Sequence, residues 1–231
     1  MSAIFNTAAA FAFLLFSVQA AEEDLLPYGP DTDQNLHLTR WNTKAKLETP
    51  STTCGSDITV FLSSCFWHLW PSCSERIAFC NYFDTATSTG TVYGRFVKDE
   101  DDDTLGKIYG LIGQEYTASP KPDWIYLATW ENVGDGSGAR DTFQTVVMKK
   151  GDRYQVIYVL GKIESTRALD PTGTVYLEST DEKTYISELL GFNQEQYPNK
   201  TNVGHTGVYY LTVEDGVVTV PGEEVIRKVH R

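Results

Sequence analysis

DWIYLATWENVGDGSGARDTFQTVVMKKGDRYQVIYVLGK, residues 123 to 162, reads as three consecutive antiparallel strands. Counting by twos puts Trp124, Tyr126, Ala128 and Trp130 on one face of the first strand. Phe143, Thr145 and Val147 share a face of the second, and Tyr154, Val156, Tyr158 and Leu160 a face of the third. β-Branched and aromatic residues dominate all three, the composition that suits a pleated, half-buried surface. A polar loop with Gly134, Gly136 and Gly138 joins the first two strands. The tight turn Lys150-Gly151-Asp152 joins the last two, where Gly-Asp supplies the backbone angles of a hairpin. A strand follows the glycine loop, not the helix N-terminus that a phosphate cradle needs. The stretch is a β-meander and not a nucleotide site.

Outward from the meander, Thr91 to Val97 forms a further strand, followed by the acidic run Asp99 to Asp103. Leu105, Ile108, Ile112 and Tyr116 then recur at helical spacing, with Asp103 as a natural N-cap. Gly106, Gly110 and Gly113 each cost about 1 kcal/mol relative to Ala, so this helix depends on tertiary packing. Beyond the meander, Thr174 to Leu177 reads as a short strand, and residues 181 to 190 fit helix or strand. Tyr209 to Val213 and Val217 to Val220 form a closing hairpin around Glu214-Asp215-Gly216. Residues 22 to 53 are turn-rich and supply one or two edge strands, and the charged residues Glu223 to Arg231 are expected to fray.

Several of these segments, in this order, resemble the nidogen-like extracellular domain found in nidogens and tectorins. The pattern rests on Ala128-Thr129-Trp130 before the glycine loop and Asp141-Thr142-Phe143-Gln144 after it. Leu26-Pro27-Tyr28-Gly29-Pro30 with Asp31 and Asp33 matches the segment that opens such domains. Asp84 with Thr89-Gly90-Thr91-Val92-Tyr93, and Gly207-Val208-Tyr209-Tyr210 near the end, complete the match over residues 26 to 214. Residues 50 to 80 depart from it and carry PSTTCGSDITVFLSSCFWHLWPSCSERIAFC instead. The resemblance implies a mainly β fold, a single antiparallel sheet or sandwich-like domain with one or two helices. It further implies a non-enzymatic module that binds an extracellular matrix or cell-surface protein, with no cofactor.

The N-terminus agrees with that compartment. Ala8 to Val18 is an apolar run too short to span a bilayer, and Val18-Gln19-Ala20 is a small-residue cleavage site. Residues 1 to 20 read as a signal peptide, and 21 to 231 as one nidogen-like domain. No later stretch is long and apolar enough for a spanning helix, so no membrane insertion is expected. The net charge of −12 disfavours nucleic acid, whose phosphates it repels.

The cysteines Cys54, Cys65, Cys73 and Cys80 lie close together in the chain. In an oxidising compartment an even cluster reads as two disulfides, with three connectivities open. His68 makes zinc the sharper alternative, but the short C-x₂₋₄-C spacing of structural zinc sites is missing. The two bridges would pin a locally rebuilt edge. Asn199-Lys200-Thr201 is an N-glycosylation sequon, marking Asn199 as exposed. Lys150, Gly151 and Asp152 form a partner-binding candidate, since a basic-Gly-Asp hairpin tip is a shape integrins read. Ordinary turn chemistry explains the same residues with less.

Catalysis has no positive signal. Ser137 does not sit in G-x-S-x-G, and His37, His68, His205 and His230 are scattered. The acidic run fails the calcium-loop spacing, with Gly110 where a bidentate Glu belongs. A carrier of a small apolar ligand on a lipocalin-like barrel is the second reading. It would want G-x-W on the first strand, and Thr39-Arg40-Trp41 lacks the glycine.

Overall fold

The computed structural model describes residues 24–37, 44–48, 57–61, 65–69, 76–80, 89–97, 103–113, 121–134, 138–164, 176–179, 182–185, 199–214, 217–221 and 226–228. In chain order the elements are β1 (Gln34–Asn35), β2 (Lys44–Glu48), β3 (Asp57–Phe61), β4 (Cys65–Leu69), β5 (Arg76–Cys80) and β6 (Thr89–Phe96). There follow α1 (Asp103–Ile112), β7 (Trp124–Gly134), β8 (Asp141–Lys150), β9 (Arg153–Lys162), β10 (Tyr176–Ser179) and β11 (Glu182–Tyr185). The chain closes on β12 (Val208–Glu214), β13 (Val217–Thr219) and β14 (Ile226–Lys228).

An eight-stranded antiparallel sheet runs β1-β6-β7-β8-β9-β12-β13-β14. Its middle is the meander, with Trp130 opposite Phe143 and Val147 opposite Val156. The sheet is open, with β1 and β14 as its two edges, so it lacks the closure of a lipocalin-like barrel. A six-stranded sheet, in the order β11-β10-β5-β4-β3-β2, takes up the segment that departs from the family pattern. The cysteine-bearing strands β4 and β5 stand in the middle of this sheet and not at an edge. The tail expected to fray contributes β14, which pairs with β13.

The meander is buried more deeply than alternation suggested. Every residue from Trp124 to Trp130, from Asp141 to Met148 and from Tyr154 to Gly161 is buried. One face carries Trp130 stacked on Phe143 at 5.3 Å, with Phe96 of β6 edge-on to Tyr126 at 4.9 Å. The other face carries Ile125, Leu127, Val146, Met148, Ile157 and Val159, covered by Ile108, Leu111 and Ile112 of α1. Both parities of each strand are apolar, the mark of a sheet packed on both faces. Each large side chain so buried contributes about 1.5–3 kcal/mol. Trp124 and Trp130 are therefore core.

The helix runs Asp103–Ile112, beginning close to its expected start. Asp103 lies in its first turn and Gly113 closes it, donating its N–H to Tyr109 O at 3.1 Å. Tyr116 lies outside the described residues.

Polar side chains fasten the opening segment to this core. Leu26 is buried, and its N–H donates to Gln144 Oε1 at 2.8 Å. Gln144 Nε2 donates back to Leu26 O at 2.9 Å and to Thr129 Oγ1 at 3.0 Å. One side-chain amide thus stands in for a residue of a neighbouring strand. Arg95 of β6 donates from Nη1 to Pro27 O and to Asp33 Oδ1, both at 3.0 Å, and from Nη2 to Thr104 Oγ1 at 2.7 Å. It ties the opening segment, β6 and α1 at one point. Gly94 beside it has no room for a Cβ, which would run into the Tyr126 hydroxyl.

Candidate partner-binding surface

With both faces of the central strands packed, the accessible parts of the large sheet are its ends and edges. At one end, β8 and β9 are joined by the two-residue turn Gly151-Asp152, with Lys150 opposite Arg153. Gly151 sits at φ 56°, the first central position of a type II′ turn, which glycine occupies without strain. Gly151 and Asp152 are exposed.

The turn is held from the side by Asp123, just ahead of β7. Its Oδ1 accepts from Lys150 Nζ at 2.7 Å and its Oδ2 from the Gly151 N–H at 2.8 Å. The Asp123 N–H donates to Lys149 O at 2.6 Å. The Lys150 hydrogen bond, then the Gly151 N–H, holds the Asp123 carboxyl below its ordinary range. The basic member of the Lys150-Gly151-Asp152 tripeptide is thus engaged within the chain, while Asp152 projects from the tip. Lys149 adds a second cation nearby, its Nζ 5.4 Å over the Tyr154 ring.

The Gly134 to Arg140 loop lies at the opposite end of β8. Ten residues of strand separate it from the turn, a span of about 30 Å at strand rise. The foot of this loop and the Gly151-Asp152 turn therefore lie at separate ends of the sheet. Residues 135–137 are outside the described residues. At the loop's foot, the Arg140 N–H donates to Glu164 Oε2 at 3.0 Å, and Lys162 Nζ reaches Glu164 Oε1 at 2.6 Å. The Glu164 N–H donates to Asp141 Oδ1 at 2.8 Å. Hydrogen bonding to Lys162, then to Arg140, keeps the Glu164 carboxyl low.

Asn199 is exposed, next to Lys200, whose carbonyl accepts from the Gly207 N–H at 2.7 Å. Because Gly207 O accepts from Leu160 at the end of β9, the sequon stands at the Gly134–Arg140 end of the sheet. Thr201 of the sequon donates its hydroxyl to Val208 O at 2.8 Å. Asn202 repeats the device of Gln144. Its Nδ2 donates to Tyr210 O at 2.6 Å, and its Oδ1 accepts from the Tyr210 N–H at 2.9 Å. Together they cover the part of the β12 edge that short β13 leaves open, a protection against edge-to-edge pairing.

Of the four cysteines, Cys65 begins β4 and Cys80 ends β5, directly opposite one another in backbone register. Cys54 and Cys73 lie outside the described residues, as does the acidic run except Asp103. Among the described residues no group of three metal-ligating side chains occurs, and no helix is long and apolar enough to cross a membrane.

A cleft of about 630 Å³ opens between the start of α1, β6 and the opening segment. Pro27, Thr32, Arg95, Phe96, Asp103 and Lys107 are among its lining residues. Arg95, which lines it, is ion-paired at 3.0 Å to Asp33, whose side chain is almost wholly enclosed. Burial pushes the Asp33 carboxyl up, opposed by the Gly29 N–H and by Arg95. Sequence reasoning did not single out Arg95, Asn202 or Asp123. A lone cation inside the strand TVYGRF was the available signal for Arg95. Nothing local marks Asn202.

The comparisons with known proteins bear on this geometry. No curated protein and no solved structure shows significant similarity to the chain. The family model described as the nidogen-like domain matches residues 69–215, from the last residue of β4 to the end of β12. That match covers more than half of the sequence, and the chain belongs to the nidogen-like domain family.

Proposed function

We propose that this chain is a secreted, non-catalytic module of the extracellular matrix or of cell–matrix adhesion. It acts by binding a protein partner through the turns and loops at the ends of its large sheet. The observation that carries the reading is the family match over residues 69–215, since nidogen-like domains are extracellular, non-enzymatic modules. The packing refines it. A partner that reads a flat sheet face finds none on the central strands, because both faces of β7 to β9 are core. The exposed Lys150–Asp152 turn, braced by Asp123, offers a rigid tip at one end. A signal peptide over residues 1 to 20, a glycan at Asn199 and disulfides among the four cysteines belong to the same reading. The charge of −12 favours a partner with basic patches over nucleic acid.

The test is attachment of the mature, secreted protein to immobilised matrix components and to cells, with and without EDTA. Saturable binding to one component is expected. Binding to none of them, together with displacement of a fluorescent fatty acid, overturns the reading in favour of a carrier. Asp152→Ala is expected to lower attachment at least several-fold without moving the melting temperature. Unchanged attachment would remove the turn from the contact surface.

A further inference from the structure

We propose that Cys65 and Cys80 form a disulfide across β4 and β5. The inference rests on the secreted reading above, since thiols pair stably in an oxidising compartment. The sequence leaves three connectivities for four cysteines, and the backbone register distinguishes them.

β4 and β5 are antiparallel, with Cys65 opposite Cys80, Phe66 opposite Phe79 and Leu69 opposite Arg76. Directly opposed residues of an antiparallel pair have Cα atoms about 4.5 or 5.5 Å apart, depending on whether they share ladder hydrogen bonds. Both values fall inside the roughly 4.4–6.8 Å that a disulfide spans. Opposed residues also share one face of the sheet.

Cys54 and Cys73 themselves lie outside the described residues. Asp57, Leu69 and Arg76 stand in one row at the other end of these strands. Cys54 shortly precedes Asp57 in sequence, and Cys73 falls between Leu69 and Arg76. Four residues of strand, about 13 Å, separate that row from Cys65. Cys80, by contrast, is directly opposite Cys65. By elimination the pairing leaves Cys54 and Cys73 to each other.

The chemistry balances with a secretory disulfide oxidoreductase as oxidant. The two S–H bonds break, one S–S bond forms, and two electrons with two protons convert the oxidant's disulfide to a dithiol. The bridge would sit at the heart of the six-stranded sheet, because Cys80 also opposes Tyr176 of β10. It would join Cys65, which precedes the family match at residue 69, to Cys80 inside it. The chain's own additional strands would thus be covalently fastened to the family domain.

The test is disulfide mapping of the secreted wild-type protein, alkylated without reduction and digested with trypsin and chymotrypsin. Cleavage after Phe61, Trp67 and Arg76 separates the four cysteines. A cross-linked peptide pair containing Cys65 and Cys80 is expected, with a second containing Cys54 and Cys73. Secreted protein in which Cys65 is alkylated, or linked to another cysteine, overturns the inference alone. Protein retained in the cell with all four thiols alkylated overturns the secreted reading and the inference together. In Cys65→Ser, Cys80 is expected to become the one alkylatable thiol while the Cys54–Cys73 peptide persists. Alkylation of Cys54 or Cys73 in that variant overturns the assignment.

Discussion

Strands β7 to β9 bury nearly every residue along their length, whereas the opening segment from Asp24 to His37 buries only two apolar side chains, Leu26 and Leu36. The meander is held by many equivalent contacts and by ladders on both sides. The opening segment is held by the two-residue ladder of β1 to β6 and by two polar side chains reaching out from the sheet, Arg95 and Gln144. Apolar burial is spread out and tolerates small changes. Polar fastening is concentrated, and removal of one group leaves several buried partners unsatisfied.

The largest effect should follow from Arg95→Ala. It strips the ion pair from Asp33 and removes one hydrogen bond each from Pro27 O and Thr104 Oγ1. Breaking a buried pair from one side costs about 3–5 kcal/mol, to be read from the denaturant midpoint at unchanged m-value. A loss near that of an ordinary surface substitution would erase the contrast between the two regions.

Gln144→Ala should cost about 2–3 kcal/mol, because two buried backbone groups of Leu26 lose their partner. Asn202→Ala removes the same kind of pairing from Tyr210, but at a partly exposed edge where water replaces the amide. It should cost about 1 kcal/mol. Equal losses in the two variants would mean that burial does not set the strength of this device.

Stabilisation is expected where the helix carries unneeded glycines. Gly106 and Gly110 are exposed, and a Cβ at either meets nothing within 4 Å. Gly106→Ala and Gly110→Ala should each raise stability by about 0.5–1 kcal/mol, readable as a higher melting temperature.

The smallest effect is at the turn. Asp123 is held low by Lys150, so its contribution is present above the ordinary Asp value of about 4 and is lost as the pH falls through the lowered value. The pair is well exposed, and solvent screening keeps it within about 1 kcal/mol. Asp123→Asn should therefore melt lower than wild type near neutrality, and the two curves should converge in acid. A gap that persists in acid would assign the loss to something other than ionisation.

The same contrast explains what was legible in the sequence. The meander was readable because its signal repeats every second residue along three strands. α1 was readable from Leu105, Ile108 and Ile112. The second apolar face was present in Ile125, Leu127, Val146 and Met148, but alternation drew attention to the aromatic parity. β14 was missed because two of its three residues, Arg227 and Lys228, are charged, and only pairing with β13 makes them a strand. Gln144 was visible as a letter in a family pattern, yet its role was not, since its partner lies 118 residues away. The candidate turn was legible as a turn. Its brace was not, because Asp123 reaches it across 27 and 28 residues of chain. Single long-range polar contacts have no period, and a one-dimensional reading has nothing to count.

The amide bridge between Leu26 and Gln144 also sets an order of events during synthesis. Leu26 leaves the ribosome first and has no partner until Gln144 follows, 118 residues later. At translation rates of about 5–20 residues per second, that is a delay of roughly 6–24 seconds. Docking of the opening segment is therefore a late step, completed only after β8 has been made. A nascent chain stalled before residue 144 should leave its first residues open to proteolysis, and one stalled after β9 has emerged should protect them.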